Sequence, residues 1–309
     1  MFNKIIKQIG SIPLDSFIDL SLNEFYSKNN ITGKQGHFIT SPEISSVFGE
    51  IITIFIVDYI FKNNINQARI VEIGGGNGKL TTDIINTIFA LGYADKIKEF
   101  IFIEKNRAMQ APQNTTRLQD INDIPTDVPI IIISNELLDA LPIKQFVFKQ
   151  NKWYEILVGL QNNALCLMQS SEPAKIEFCG KENDILELPV FGMKLFEEMC
   201  HKISASFGTI LTIDYGFEKH RFGHTLQAIQ NHKKVDFLQN AQHCDITHLV
   251  QFEFFEKIAK KYKLNTKIST QHDFLIQNGI LTRCNDPSTQ RLIDINDGGM
   301  GNFLVMQNY

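Results

Sequence analysis

A glycine-rich segment, EIGGGNG at residues 72–78, has the residue types and spacing best suited to holding a ligand. Glycine permits a tight strand-to-helix turn and lets a ligand approach the backbone without a Cβ clash, so Gly74, Gly76 and Gly78 are predicted ligand contacts. Glu72 stands before the first glycine, at the end of a predicted strand. A carboxylate there would repel a dinucleotide pyrophosphate but suits the cationic amino and sulfonium groups of S-adenosylmethionine.

Two further acids follow the next predicted strands. Glu104 ends the strand EFIFIE, where a carboxylate can accept hydrogen bonds from both hydroxyls of a ribose. Asp120, next to Ile121, lies where a third strand end would contact an adenine. The alternative for Glu72 and Glu104 is that they are solvated acids at strand ends, and the glycines favour the nucleoside site.

A polar turn, SNELLDALP at residues 134–142, follows another predicted strand. Open α/β sheets bind ligands beyond the carboxyl ends of their strands, so this turn should face the methyl donor. Asn135, Glu136 and Asp139 place an amide and two carboxylates together, and a planar guanidinium takes such bidentate partners. A guanidinium is not readily deprotonated, so it must be oriented and polarised, and we predict a catalytic role for all three. The alternative is a helix start, with Asn135 as its cap and Glu136 complementing its dipole.

The elements that must position these residues follow an α/β pattern. Short strands are predicted at residues 68–73, 99–104, 129–134, 208–216 and 302–307. A helix is predicted from Lys79 to Leu91, where apolar residues recur at helical spacing. Strand–helix–strand spacing implies right-handed crossovers and a mostly parallel sheet. Insertions are expected at about 145–187, with a β-hairpin turning at residues 150–152, and at about 217–250.

The first part of the chain reads as a separate helical region. Residues 1–66 are predicted to form an N-terminal helical cap, and residues 67–309 the ligand-binding domain. The tripeptide SPE at residues 41–43 reads as an N-cap, a proline at the first helical position and an acid in the first turn. A helix from Pro42 to about Phe61 should follow.

Several sequence blocks resemble the MidA family of class I S-adenosylmethionine-dependent methyltransferases, which includes the mitochondrial complex I assembly methyltransferase. The blocks are HFITSPEISSVFGE (37–50), EIGGGNGKL (72–80), SNELLDALPIKQF (134–146), LTIDYG (211–216), DITHLVQF (245–252) and FLIQNGI (274–280). The resemblance implies a Rossmann-like, mostly parallel sheet of seven strands with a helical cap, and S-adenosylmethionine as cofactor. It also implies that the three glycines and Glu104 contact the cofactor, and that Pro42 and Glu43 cover it.

The same resemblance implies an activity, because the mitochondrial relative makes symmetric dimethylarginine on a complex I subunit. The expected partner is therefore a protein with an arginine acceptor, such as a complex I-type subunit. Asp245 and His248 are candidates for substrate contacts. The chain departs from the family pattern at Gly36-His37-Phe38, at residues 224–227 and at Gln251, which could alter the acceptor contacts.

Composition excludes several other classes of protein. The chain has 309 residues, 43% of them hydrophobic, enough for a sizeable core. Its net charge of −4 provides no basic field for nucleic acid. The apolar run at residues 51–61 is too short to cross a bilayer and contains Asp58, so no membrane insertion is expected. Neither a signal nor a transit peptide is evident, which predicts a cytoplasmic protein.

Cysteine and histidine usage gives no indication of a metal site. The five cysteines lack a C-x-x-C pair and fit a reducing compartment. Histidines at 220, 224, 232, 243 and 248 are irregularly spaced and lack carboxylate partners, so solvated loop histidines are the favoured interpretation.

Three other functions compete with protein arginine methylation. A binding or assembly factor could keep the fold and the cofactor with little catalysis, and a small-molecule methyltransferase could use the same pocket. A nicotinamide dehydrogenase is disfavoured because the third glycine is Gly78 rather than residue 79. The oligomeric state does not follow from the sequence, and a dimer stays open.

Overall fold

The fold is described from a computed structural model, which covers residues 2–28, 40–106, 108–230, 233–296 and 298–309. The predictions on Gly36-His37-Phe38 and His232 lie outside these residues. The helices are α1 (Phe2–Ile9), α2 (Leu14–Lys28), α3 (Ser41–Ile44), α4 (Val47–Lys62), α5 (Lys79–Ala90), α6 (Val190–Ser206), α7 (Phe252–Lys261), α8 (Gln271–Gln277) and α9 (Pro287–Ile293). Short 3₁₀ turns span Ala94–Lys96, Ile121–Asp123 and Ile280–Thr282.

The strands fall into one large and several smaller sheets. They are β1 (Ser11–Pro13), β2 (Ala68–Ile73), β3 (Ile97–Ile103), β4 (Thr116–Leu118), β5 (Ile130–Asn135), β6 (Lys144–Lys149), β7 (Lys152–Gln161), β8 (Ala164–Ala174), β9 (Ile185–Leu188), β10 (Gly208–Asp214), β11 (Gly216–Phe217), β12 (Gln227–Gln230), β13 (Lys233–Val235), β14 (Asp245–Thr247), β15 (Val250–Gln251), β16 (Thr266–Thr270) and β17 (Leu304–Asn308).

The largest sheet has seven strands in the order β16-β17-β10-β5-β2-β3-β4. Strands β10, β5, β2, β3 and β4 pair in parallel, whereas β17 runs antiparallel to both β10 and β16. Residues of β2 and β10 are buried along their whole length, as expected for strands covered on both faces. The predicted α/β fold is therefore confirmed as a mixed sheet that contains parallel strands.

Helices cover both faces of this sheet. The core on one face joins isoleucines of β2 and β5 to α4, α5, α8 and α9. The core on the other face joins the alternate residues of the same strands to α6 and α7. Because parallel strands share one direction, this packing brings the carboxyl ends of β2, β3, β5 and β10 to one edge of the sheet.

A second, antiparallel sheet contains the inserted hairpin. Its order is β1-β7-β6-β9, and β8 also pairs with β7. The predicted turn between β6 and β7 is present, and Gln150 and Asn151 have φ values of 50° and 61°. Positive φ at both central residues is typical of two-residue hairpin turns whose twist matches that of the flanking strands. Strand β1 pairs with β7 through Ile12 and Val158. The first 66 residues are thus not entirely helical, because a short strand completes this sheet.

The predicted helix from Pro42 to about Phe61 is wrong in detail, since two helices replace it. Ser45 between them is extended, with φ −156° and ψ 137°. Its hydroxyl lies 3.0 Å from the Thr289 hydroxyl and accepts a bond from the Val47 N–H at 3.3 Å, which competes with helix continuation. Ser41 is also not the N-cap, because Thr40 occupies that position and Ser41 is the first helical residue.

The second predicted insertion contains short sheets rather than loops alone. Strand β12 pairs with β13 and β14, and β11 pairs with β15. Buried residues of this segment, including Leu226 and Ile246, share a core with α1 and α2. Of the helices described above, none is long and apolar enough to cross a membrane.

Candidate active site

A cavity of about 1120 Å³ opens at the carboxyl edge of the large sheet. The sequence-predicted residues on its wall are Pro42, Glu72, Gly74, Gly76, Glu104, Asp120, Asn135, Glu136, Asp139 and Asp245. Gly78, Glu43 and His248 lie outside the lining. The fold thus brings predicted cofactor contacts and predicted catalytic residues to one cavity.

The glycine turn between β2 and α5 needs backbone conformations that other residues rarely adopt. Gly74, Gly76 and Gly78 have φ values of 74°, 54° and 73°. A Cβ on Gly74 would lie 2.5 Å from Leu137, and one on Gly78 would lie 2.4 Å from Pro112. Close packing therefore explains why residues 74 and 78 are glycines, whereas Gly76 lines the cavity.

Glu72 lies beneath this turn. It is 4% exposed, and one oxygen accepts bonds from the Thr81 N–H at 3.1 Å and from the Thr81 hydroxyl. Burial raises the pKa of Glu72 to about 7. Its carboxyl therefore supports the start of α5 and also contributes to the cavity wall, where a cationic group would stabilise the charged form.

Glu104 directly follows β3 and lines the cavity. One carboxylate oxygen accepts the Gly76 N–H at 3.0 Å, and the other accepts the Asn106 N–H at 2.7 Å. Each oxygen keeps further acceptor capacity, as two ribose hydroxyls would require. Asp120 follows β4, and its Oδ1 accepts the Asn122 N–H at 2.8 Å, which caps the 3₁₀ turn there.

Helix α3 covers the glycine turn from the other side. The Asn77 amide donates to Glu43 Oε1 at 3.0 Å, and Glu43 Oε2 is buried without a partner. Pro42, at the second position of this helix, lies on the cavity wall.

The polar turn does not begin a helix, so the helix-start alternative is wrong. Residues 136–143 form bends and a turn. Glu136 has φ 48°, an uncommon conformation that is typical of strained functional positions. Its Oε1 accepts the Ser41 N–H at 3.2 Å and the Asn135 amide at 3.1 Å. Burial raises the pKa of Glu136 to about 7.

Asp214 and Tyr215, which the sequence analysis quoted only within a family block, support this turn. One Asp214 oxygen accepts the N–H groups of Leu138 at 2.9 Å and Asp139 at 3.2 Å, and the other accepts the Tyr215 N–H at 2.9 Å. The Tyr215 hydroxyl donates to the Asp139 carboxyl. Burial raises the pKa of Asp139 well above its usual range and that of Asp214 to about 8. The end of a parallel strand was the signal that could have identified Asp214.

Tyr26 reaches the same cavity from α2. Its hydroxyl donates to Asp245 Oδ1 at 2.9 Å, across 219 positions of sequence, and the Asn106 amide donates to its carbonyl at 3.0 Å. Burial raises the pKa of Asp245 to about 6. No sequence pattern marks Tyr26, because its role depends on how α2 packs.

His248 anchors the polar turn from outside the cavity. Its backbone N–H donates to the Asp139 carbonyl at 3.0 Å, and its Nε2 lies 3.0 Å from the Leu138 carbonyl. Burial lowers the pKa of this histidine. The family departures at residues 224–227 and Gln251 also lie outside the cavity lining.

The residues fit a cationic nucleoside ligand. Asn135 Oδ1 and Asp139 Oδ1 are buried acceptors without partners in residues that line the cavity. Unpaired buried acceptors are costly, and an ammonium, sulfonium or guanidinium would compensate them. Apolar walls from Ile103 and Ile121 provide surface for a base. Among the described residues, no cluster of His, Cys, Asp and Glu could hold a metal ion.

Comparison with known proteins supports the same ligand. The model of a family described as "Putative S-adenosyl-L-methionine-dependent methyltransferase" matches residues 51–270. The chain belongs to this family. It is an S-adenosylmethionine-dependent methyltransferase, as the sequence blocks predicted.

The methyltransferase aligns over most of its length with curated relatives and with a solved structure. It is 28% identical to the protein arginine methyltransferase NDUFAF7 homolog, mitochondrial, of Caenorhabditis elegans, over 89% of this chain and 72% of the relative. It is 25% identical to the human protein arginine methyltransferase NDUFAF7, mitochondrial, over 93% of this chain and 76% of the relative. A Burkholderia thailandensis protein bound to S-adenosyl-homocysteine superposes with a TM-score of 0.84 at 21% identity, covering 99% and 90% of the two chains. That structural match concerns the fold.

Proposed function

We propose that this methyltransferase transfers a methyl group to an arginine side chain of a protein. The observation that carries the proposal is the set of carboxyls at the acceptor end of the cavity, formed by the half-buried Glu136 and the buried Asp139 and Asp245. Burial raises the pKa of all three, so a cation bound beside them would stabilise their charged forms. A guanidinium supplies that cation together with donors in one plane.

The proposed cofactor site lies on the other side of the polar turn. We assign the ribose to Glu104, the adenine to the wall near Asp120 and Ile121, and the amino acid part to the glycine turn and Glu72. This assignment treats the seven-stranded sheet as the cofactor-binding sheet of class I methyltransferases. It also gives Pro42 and Glu43 of α3 the role of covering the cofactor.

Catalysis would depend chiefly on orientation and electrostatics. When bound, S-adenosylmethionine supplies an electrophilic methyl group on its sulfonium. Glu136 and Asn135 would hold the guanidinium so that one nitrogen faces that methyl group, and Asp139 would contact the same nitrogen. Fixing two reactants in an attack geometry contributes a large share of rate enhancement in such transfers. The walls of the cavity would exclude water from the reacting atoms.

The names of the relatives support a protein acceptor. A complex I-type subunit is one candidate, because the sequence blocks resemble a family with a complex I assembly member. The relatives are named as mitochondrial proteins. The cytoplasmic location expected from the sequence stays a prediction.

Labelled methyl transfer tests this function. Purified protein and tritiated S-adenosylmethionine are added to a lysate of source cells that lack the protein, and labelled bands are analysed by mass spectrometry. We expect label on arginine in a protein band, and none with Gly76→Val. Label confined to small molecules would overturn the protein acceptor, and binding of cofactor without any transfer would favour an assembly factor.

A further inference from the structure

We propose that Asp139 is the proton acceptor of methyl transfer and that Asp214, directly behind it, is a positioning residue that makes Asp139 basic. The inference rests on the proposed function, since a cationic nitrogen that gains a methyl group must lose a proton. Nothing in the sequence blocks or in the names of the relatives assigns a role to Asp214.

The contacts of Asp214 place it behind the reacting site. Asp214 is 0% exposed and lies outside the cavity lining. Its two oxygens accept three backbone N–H groups, from Leu138, Asp139 and Tyr215, at 2.9, 3.2 and 2.9 Å. Three such donors stabilise a carboxylate. Of the two carboxyls, Asp139 and Asp214, Asp214 is therefore better able to keep its charge.

Asp139 has the complementary surroundings. It is 4% exposed and lines the cavity, and its Oδ1 is buried without a hydrogen-bond partner. The Tyr215 hydroxyl is the side-chain donor to this carboxyl. Asp139 is therefore the member of the pair with an acceptor atom available to the reacting nitrogen.

The ionisable side chains that act most strongly on Asp139 are acidic or phenolic, and His248, whose pKa burial lowers, contacts the backbone carbonyl of Asp139. Asp214 and Tyr215 face it from β10 and the residue after it, Glu136 from its own turn, Asp245 from β14, and Tyr26 from α2. Burial raises the pKa of Asp139, and the charges of Asp214 and Glu136 raise it further, whereas the Tyr215 hydroxyl lowers it. The surroundings thus give Asp139 the affinity for a proton that a base requires.

The charge balance gives the two carboxyls distinct roles. Before transfer, Asp139 and Asp214 are both ionised beside the two cations, and Glu136 keeps the charge that holds the guanidinium. Asp139 takes a proton from the acceptor nitrogen as that nitrogen forms its bond to the methyl group, while the sulfur–methyl bond breaks and its electron pair stays on sulfur. The products are S-adenosylhomocysteine, a methylguanidinium, protonated Asp139 and ionised Asp214. Solvent then removes the proton when product leaves.

Two substitutions should shift the titration of Asp139 in opposite directions. Asp214→Asn removes a neighbouring negative charge and should lower the pKa of Asp139. Tyr215→Phe removes a hydrogen bond to the charged form and should raise it. General damage to the fold would not produce shifts of opposite sign. Tyr59→Phe is a matched control, because that hydroxyl donates to Gly208 at 2.7 Å, at the other end of β10.

The test uses N-propylguanidinium as a mimic of the arginine side chain, bound to the complex of the protein with S-adenosylhomocysteine. Calorimetry between about pH 5 and pH 9 should show affinity that rises as Asp139 loses its proton. We expect the midpoint to move by about one pH unit or more to lower pH in Asp214→Asn and to higher pH in Tyr215→Phe. The midpoint should stay in place in Tyr59→Phe. Midpoints that do not move, or that move in the same direction in both variants, would overturn the proposal.

Infrared spectroscopy of the protein bound to S-adenosylhomocysteine, without the mimic, separates this inference from the proposed function. The difference spectrum between wild type and Asp139→Asn isolates the protonated carboxyl of Asp139, and its titration should shift in the same two directions. If N-propylguanidinium does not bind but the infrared shifts appear, the proposal of an arginine acceptor is wrong, whereas the effect of Asp214 on Asp139 is confirmed. If the mimic binds and the infrared shifts are missing, the proposed function stands and this inference fails.

Discussion

The backbone N–H of Ser41 donates to Oε1 of Glu136 at 3.2 Å, although the two residues are 95 positions apart in the chain. Ser41 is the first residue of helix α3, so the Glu136 carboxyl lies at the positive end of a short helix. Helix α3 also contacts the glycine turn through Glu43 and Asn77. Glu136 therefore joins helix α3, the proposed cover of the cofactor, to the proposed acceptor site.

Glu136→Gln tests the role of this carboxyl in catalysis. The substitution keeps the shape and an oxygen for the Ser41 N–H but removes the charge that would polarise the acceptor nitrogen. We expect methyl transfer to fall by about a hundredfold, as for the loss of one preorganised electrostatic contact. Affinity for S-adenosylhomocysteine, measured by calorimetry, should change little. Glu99→Gln, near the start of β3, is the control, and equal rates in both variants would contradict the assignment.

Gly76→Val tests the glycine turn. Gly76 has φ 54°, which a β-branched residue resists, and it lines the cavity. Binding of S-adenosylmethionine should be lost in calorimetry. Gly92→Val is a matched control, since Gly92 has φ 76° with no atom within 4 Å of an added Cβ and lies outside the cavity. It should lose stability but keep binding.

Glu104→Gln tests the proposed ribose contact. One carboxylate oxygen and the negative charge are lost, while an oxygen remains for the Gly76 or Asn106 N–H. Binding of S-adenosylhomocysteine should weaken by roughly 1.5–3 kcal/mol, the range for hydrogen bonds to charged groups. The melting temperature without ligand should fall only slightly, because one of the two backbone hydrogen bonds is lost. A large drop in that temperature with unchanged affinity would show that Glu104 serves the fold instead.

The stability of the unliganded protein should fall as pH rises. Burial raises the pKa of Glu72 and Glu136 to about 7 and that of Asp214 to about 8, so the folded protein holds protons that the unfolded chain has already lost. Each such proton lowers the free energy of unfolding by about 1.4 kcal/mol per pH unit. The pKa of His248 is lowered, so this histidine reduces the free energy of unfolding only below about pH 6.5. The fall caused by the carboxyls is therefore clearest between about pH 6.5 and pH 8.

Urea unfolding across that range measures this slope. Asp214→Asn should flatten it, because one of the titrating carboxyls is removed. Asp127→Asn is a suitable control, since hydrogen bonds from Lys98 and Arg69 lower the pKa of that exposed carboxyl to about 2. A free energy of unfolding that stays constant or increases between pH 6.5 and 8 would contradict the raised pKa values.

The parts of the site at strand ends could be predicted from the sequence. Glu72, Glu104 and Asn135 follow runs of buried apolar residues, and a parallel sheet places such positions at one edge. Asp214 satisfies the same rule, so the sequence contained a signal for it. The hydroxyl of Tyr26 could not be assigned in this way, because its contact with Asp245 depends on the packing of α2.

The helix and strand boundaries that the sequence did not predict correctly depend on contacts between residues distant in sequence. The helix break at Ser45 follows from a contact with Thr289, and strand β1 forms because β7 presents an edge to it. Local propensity favours one continuous helix at the first place, whereas at the second Pro13 keeps Ile12 extended without specifying a partner strand. Tertiary hydrogen bonds decide both, and a single sequence does not display them.

The central claim is that this protein methylates arginine at the turn that contains Glu136. The most direct test compares source cells that express either the wild-type protein or Glu136→Gln at equal abundance, using quantitative mass spectrometry of methylated peptides. The account predicts that at least one methylarginine peptide disappears in the variant cells while the unmodified peptide increases. An identical set of methylarginine peptides in the two strains would contradict it.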